Sequence, residues 1–164
     1  VELPLVVATN TDRREKIKIS QHLAAKDEAP STIYFTGRIL LAEDSLDIQK
    51  SMVFFLKKAG ASVDVAADGR IAIDMIERAN STGCGYELLL TDMQMPNMDG
   101  YELVSRLRSN GWTLPIIALT AYSMVEDRQQ CLDAGCNDYI SKPIDRRALL
   151  RTCQTWIERR SPSV

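Results

Sequence analysis

Short apolar runs that stop at a charged or hydroxyl residue, with helix-length amphipathic stretches between them, constrain this chain more than any other feature. The sharpest is Leu88-Leu89-Leu90-Thr91-Asp92, where the run from Glu87 to Thr91 is too short for a helix and Pro96, Asn97 and Gly100 supply turn chemistry just beyond. Arg38-Ile39-Leu40-Leu41-Ala42 ends in Glu43-Asp44, Pro115–Ala121 contains Thr120 near its end, and Asp138–Ser141 leads into Lys142-Pro143. A buried strand that delivers an acid, a hydroxyl or an ammonium to its tip reads as part of a site, because open α/β sheets bind ligands at the carboxyl ends of their strands.

The intervening segments carry helical signals. Ser45 can cap a helix running to Ala59, and Gly60 suits its C-terminal turn. Ala61–Ala66 reads as a further strand, and Asp68-Gly69 turns the chain into a helix from Arg70 to Asn80. After the Ser81–Gly85 loop and the Asp92 strand come helices from Asp99 to Ser109, from Ser123 to Ala134 and from Asp145 to Arg159. Strands alternating with helices predict an α/β fold, a parallel sheet with right-handed crossovers and helices on both faces.

Composition narrows the function. A 164-residue chain has room for one sizeable core plus an extension. A net charge of −2 with 26% charged residues provides no basic field for a nucleic-acid backbone. No apolar run reaches the length of a membrane span, so direct membrane contact is not expected. Cys84, Cys131, Cys136 and Cys153 form no C-x-x-C pair and His22 is alone, which favours idle thiols in a reducing cytoplasm over a zinc site.

With Glu43-Asp44, Asp92, Thr120 and Lys142 at successive strand ends, the stretch from Gly37 to Trp156 resembles a response-regulator receiver domain, the phospho-accepting module of two-component signalling. The resemblance implies a doubly wound five-stranded parallel sheet, flavodoxin-like in its order 2-1-3-4-5, which brings Glu43, Asp44 and Asp92 together. Converging carboxylates repel one another and call for a cation, and Mg²⁺ suits a few carboxylates with water and phosphate oxygen. Position by position, the family implies that Asp44, Asp92 and the backbone carbonyl of Gln94 bind Mg²⁺ directly and Glu43 through water. It makes Asp92 the phosphorylated nucleophile, with Lys142 and Thr120 contacting the phosphoryl group and the small Ala121 leaving it room, in a reaction the domain catalyses on itself. It also implies a cis bond at Lys142-Pro143, a switch pairing Thr120 with Tyr139, and an influence of Gln94 and Ser123 on phosphate lifetime.

Partners follow from the same likeness: a histidine kinase domain as phosphodonor and a histidine phosphotransfer protein as recipient. On the first helix Ile48, Met52, Phe55, Leu56 and Ala59 make one apolar stripe, while Leu46, Val53 and Phe54 lie elsewhere. This surplus is the expected docking strip for the partner. Val1–Thr36 is expected to be a loosely ordered linker, or the end of a preceding kinase domain whose closing strand the Leu3-Pro4-Leu5 phrase resembles; residues 37–160 form the receiver and 161–164 a tail. The chain, which starts at Val1, reads as a piece of a longer protein, the terminal receiver of a hybrid kinase that is cytoplasmic here and can be membrane-anchored elsewhere. A stand-alone receiver that binds a target is the alternative. Two rivals of other classes fit less well. An aspartate-nucleophile phosphohydrolase needs an acid where Gln94 stands, and a flavin binder needs a phosphate loop where Glu43-Asp44 stands.

Overall fold

The computed structural model describes residues 32–121 and 125–160. Five strands, β1 (Arg38–Ala42), β2 (Ser62–Ala66), β3 (Leu88–Asp92), β4 (Ile116–Thr120) and β5 (Asp138–Ser141), alternate with five helices. These are α1 (Leu46–Lys58), α2 (Gly69–Ser81), α3 (Gly100–Ser109), α4 (Val125–Ala134) and α5 (Arg146–Arg160). The strands form one parallel sheet in the order β2-β1-β3-β4-β5.

Every residue of β3 and β4 is buried, which is why those segments read as unbroken apolar runs rather than as alternating ones. Their side chains nevertheless alternate in direction. Leu40, Ala42, Leu89, Ile116 and Ala118 join a core with α2, α3 and α4 on one face. Ile39, Leu41, Leu88, Leu90, Ile117 and Leu119 join a second core with α1 and α5 on the other. Each fully buried leucine contributes about 1.5–3 kcal/mol relative to exposure, so the two cores hold the strand ends in fixed register.

Helix starts are set locally. Asp68 accepts from the Ile71 N–H at 2.9 Å, Asp99 from the Glu102 N–H at 2.8 Å, and Asp145 from the Ala148 N–H at 2.7 Å. Ser45 occupies the cap position of α1 but makes no side-chain capping bond. Its own N–H instead donates to Glu43 Oε1 at 3.0 Å. Gly60, at φ +102°, closes α1 as its position predicts.

The packed unit begins ahead of Gly37. Phe35 is buried and donates its N–H to the Ala59 carbonyl at 2.9 Å, and the Tyr34 ring lies against Gly60. Readings of the segment before Thr32, including Leu3-Pro4-Leu5 and His22, lie outside the described residues, as do Ser123 and the 161–164 tail. Among the described residues no helix is long and apolar enough to cross a membrane.

Candidate functional site

Parallel register gathers the strand ends at one edge: Ala42 is opposite Ala66 and Thr91, Asp92 opposite Leu119, and Thr120 opposite Ser141. Glu43 follows β1 and is fully buried, Asp92 ends β3 at 6% exposure, and Thr120 ends β4 at 2%. Asp44, next to Glu43, is exposed. One oxygen from each of Glu43, Asp44 and Asp92 lies within 4.8 Å of the others, a set that could hold a metal ion.

Lys142 reaches this cluster from beyond β5. Its Nζ donates to Asp92 Oδ2 at 2.7 Å and to Glu43 Oε2 at 3.1 Å. Its backbone N–H donates to the Thr120 carbonyl at 2.7 Å, and the Lys142-Pro143 bond is cis. The remaining Asp92 oxygen accepts the Gln94 N–H at 3.0 Å, and Gln49 donates to the Glu43 carbonyl at 2.6 Å. Glu43 is therefore tied on both oxygens, to Ser45 and to Lys142.

Electrostatics at this edge are unbalanced. With all three acids ionised, one ammonium leaves a formal surplus of two negative charges; a pair of like charges 4 Å apart near a protein surface costs about 4 kcal/mol. Burial pushes the Glu43 carboxyl above its ordinary range, against the opposing pull of the Ser45 N–H and the Lys142 ammonium. Burial also pulls on the Lys142 ammonium, downward, but its hydrogen bonds to Asp92 and Glu43 and their charges outweigh that, leaving it raised. The donor set is hard oxygen, fitting Mg²⁺ better than a softer metal.

The loop between β3 and α3 completes the site. An open cleft of about 480 Å³ runs along it, lined by Asp44, Gln94, Met95, Pro96 and Tyr101 among others. Asn97 sits at φ 64°, spanned by a hydrogen bond from the Met98 N–H to the Pro96 carbonyl at 2.7 Å. That is the rarer form of the three-residue turn, a conformation costing about 1–3 kcal/mol unless its surroundings hold it.

Of the sequence-predicted residues, Glu43, Asp44, Asp92 and Lys142 are thus in one cluster, with Thr120 and Gln94 adjoining it through backbone bonds. Tyr139 lies two residues before the strand end, half-buried, with the Arg128 guanidinium 4.9 Å from its ring centroid. Ala121 is exposed. On α1, Leu46 and Phe54 are exposed at 65% and 60%. Val53 does not share that strip: it is half-buried and packs on the core shared by α1 and α5. At 100° per residue Val53 is only about 60° from Leu56, close enough to share its face. Sequence reasoning missed the direct Glu43–Lys142 pair and the support beneath the loop, where Asp68 meets Asn97; the Asp-Gly turn was the available signal.

Comparison with known proteins gives a consistent picture. The profile described as "Response regulator receiver domain" matches residues 39–154. A Leptolyngbya boryana protein, "Uncharacterized 14.6 kDa protein in sodA1 3'region", is 42% identical over 120 residues, covering 72% of this chain and 88% of its own length. "Probable histidine kinase 2" of Oryza sativa subsp. indica is also 42% identical, over 125 residues, covering 68% of this chain but 12% of the rice protein. Among solved structures, the receiver domain of sensor histidine kinase PA1611 from Pseudomonas aeruginosa PAO1, with a magnesium ion coordinated in its active-site cleft, is 39% identical with a TM-score of 0.66. That likeness covers 76% of this chain and 99% of the Pseudomonas chain.

Proposed function

The chain belongs to the response regulator receiver domain family, and from that premise we propose that Asp92 accepts a phosphoryl group from a phosphohistidine in a Mg²⁺-dependent reaction. The observation that carries this reading is the Lys142 ammonium bridging Asp92 and Glu43 with the Asp44 carboxylate alongside. Asp44, Asp92 and the Gln94 backbone carbonyl would hold the cation, with Glu43 acting through water. When bound, Mg²⁺ supplies positive charge against the phosphoryl oxygens.

The chain's own residues do the rest. An Asp92 carboxylate oxygen attacks phosphorus, the P–N bond to the donor imidazole breaks, and the leaving imidazole keeps the bond's electron pair and takes up a proton. Lys142 transfers its hydrogen bond from Asp92 to a phosphoryl oxygen, so its charge remains paired. The Thr120 hydroxyl would hydrogen-bond the attached phosphoryl group, and its movement would favour an inward rotamer of Tyr139, a two-state readout of phosphorylation.

The rice relative, of which this chain covers 12%, supports a place within a longer, hybrid histidine kinase; the proposed recipient of the phosphoryl group is a histidine phosphotransfer protein that docks on the exposed Leu46 and Phe54. The Leptolyngbya relative, scarcely longer than the matched segment, supports the alternative of a stand-alone receiver whose phosphorylation controls binding to a target.

Incubation with a small acyl phosphate and Mg²⁺, followed by intact-mass analysis, tests the chemistry. One added phosphoryl group is expected, absent when Mg²⁺ is chelated beforehand and absent from Asp92→Asn. Labelling of Asp92→Asn at the rate of the unaltered chain would overturn it.

A further inference from the structure

Resting on that reading, we propose that Asp68 is a positioning residue for the cation site: through Asn97 it holds the β3–α3 loop in the shape that presents Asp92 and the Gln94 carbonyl. Asp68 follows β2, belongs to none of the strand-end acids, and is 8% exposed. Its two oxygens have separate partners. Oδ1 accepts the Ile71 N–H at 2.9 Å and caps α2; Oδ2 accepts Asn97 Nδ2 at 2.9 Å.

Capping alone needs one acceptor oxygen, which serine supplies as well. The second oxygen is directed at the loop residue in the rare left-handed conformation, Asn97 at φ 64°. Next to it the Gly69 N–H donates to the Met98 carbonyl at 3.1 Å, and a Cβ on Gly69 would stand 2.8 Å from that same oxygen. The loop is therefore tied at its middle to the first turn of α2, and at its ends to Asp92 of β3, through Gln94 N–H to Asp92 Oδ1, and to the residue that follows it, through Gly100 N–H to the Met93 carbonyl. Releasing the middle removes the tie between α2 and the loop that carries Gln94. The Ile71 N–H and the Asn97 amide also keep the Asp68 carboxyl below its ordinary range, so it remains a charged acceptor.

Two substitutions separate the roles. Asp68→Ser keeps a helix cap but cannot reach Asn97; Asn97→Gly keeps the left-handed backbone accessible but removes the amide. Mg²⁺ affinity of the unphosphorylated chain, measured by calorimetry beside the thermal midpoint, is the readout. Each single substitution is expected to weaken Mg²⁺ binding by about tenfold, as loss of a supporting partner does in metal sites, and the double substitution to weaken it no further. Unchanged Mg²⁺ affinity in both variants, whatever their midpoints, would make Asp68 a helix cap and overturn the inference alone, as would additive losses. Absence of Mg²⁺ binding by the unaltered chain would overturn the underlying reading as well.

Discussion

A Cβ at Gly100 would stand 2.3 Å from the carbonyl oxygen of Asp92. The first residue of α3 thus packs directly behind the proposed nucleophile, and the two nearest atoms, the Asp92 carbonyl oxygen and the Met93 Cα at 2.7 Å, are backbone that no side-chain rotation can move aside. Gly100→Ala must push the strand end or the helix away. We expect a loss of about 1–3 kcal/mol in urea-unfolding stability, the usual cost of overpacking, together with weaker Mg²⁺ binding. A variant as stable as the parent would mean that α3 slides without strain.

Lys142 is the cation the acids already have. Lys142→Met leaves fully buried Glu43 beside Asp92 without its ammonium. Stability without metal is expected to fall by about 3 kcal/mol, because breaking a buried pair strands a charge. Mg²⁺ should then bind more tightly, since it no longer meets a fixed positive charge, so the rise in thermal midpoint on adding Mg²⁺ should be larger than in the parent. A smaller rise would show that Lys142 helps to build the cation site.

Phe54→Glu places a charge on the exposed part of α1, clear of both cores. Transfer from a phosphorylated histidine partner is expected to slow by about tenfold, the effect of losing one anchoring aromatic at an interface, while labelling by a small acyl phosphate stays within a factor of about two. Equal loss in both assays would remove the docking role. Val53→Glu is the contrasting case: it sets a charge at a half-buried position against the core and should lower stability first.

Alkaline pH tests a network at the other edge of the sheet. Tyr86 is buried, donates its hydroxyl to Asp64 Oδ2 at 2.9 Å, and has the Arg38 guanidinium 4.5 Å from its ring centroid. Burial, followed by the bond to Asp64, pushes the phenol up to about 12. Its folded value is raised above the ordinary tyrosine value, so the stability it contributes is fully present below about pH 10 and is lost as pH rises through about 12. Tyr101 and Cys136, each pushed up to about 12, act in the same direction. Tyr86→Phe should reduce the decline of unfolding free energy across that window by about 1.4 kcal/mol per pH unit, one proton's worth. An unchanged slope would mean the phenol already titrates at its ordinary value.

The alternation of strands and helices was legible because its physics is local, whereas the strand order came from the family resemblance. β3 and β4 announce themselves as buried runs, and a strand ending at Asp92 before the turn residues Pro96, Asn97 and Gly100 marks the site edge without knowledge of distant contacts. What escaped depends on residues far apart in the chain. Nothing near Phe35 says that its N–H will meet Ala59, and nothing near Glu43 says that Lys142 will occupy one of its oxygens. Val53 was misplaced because the apolar stripe is wider than its own five residues: Val53 stands about 60° from buried Leu56, within reach of the same core. Asp68 was read as turn chemistry; its second oxygen acquires a purpose only once β2 and β3 lie on either side of β1.

The alternation of side chains between the two cores also governs how the chain can change length. Adding or deleting a single residue within β1 would exchange Leu40 and Ala42 with Ile39 and Leu41 across the sheet, and would turn Glu43 away from Lys142 and Asp92. The strands therefore count residues, one by one, between the far edge of the sheet and the acids. The Thr82–Gly85 connection does not: all four residues are exposed, and a Cβ on Gly83 or Gly85 would meet no atom within 4 Å. Insertions and deletions that leave the acids aligned are confined to connections of this kind, where the chain is free to lengthen without changing what any strand end presents.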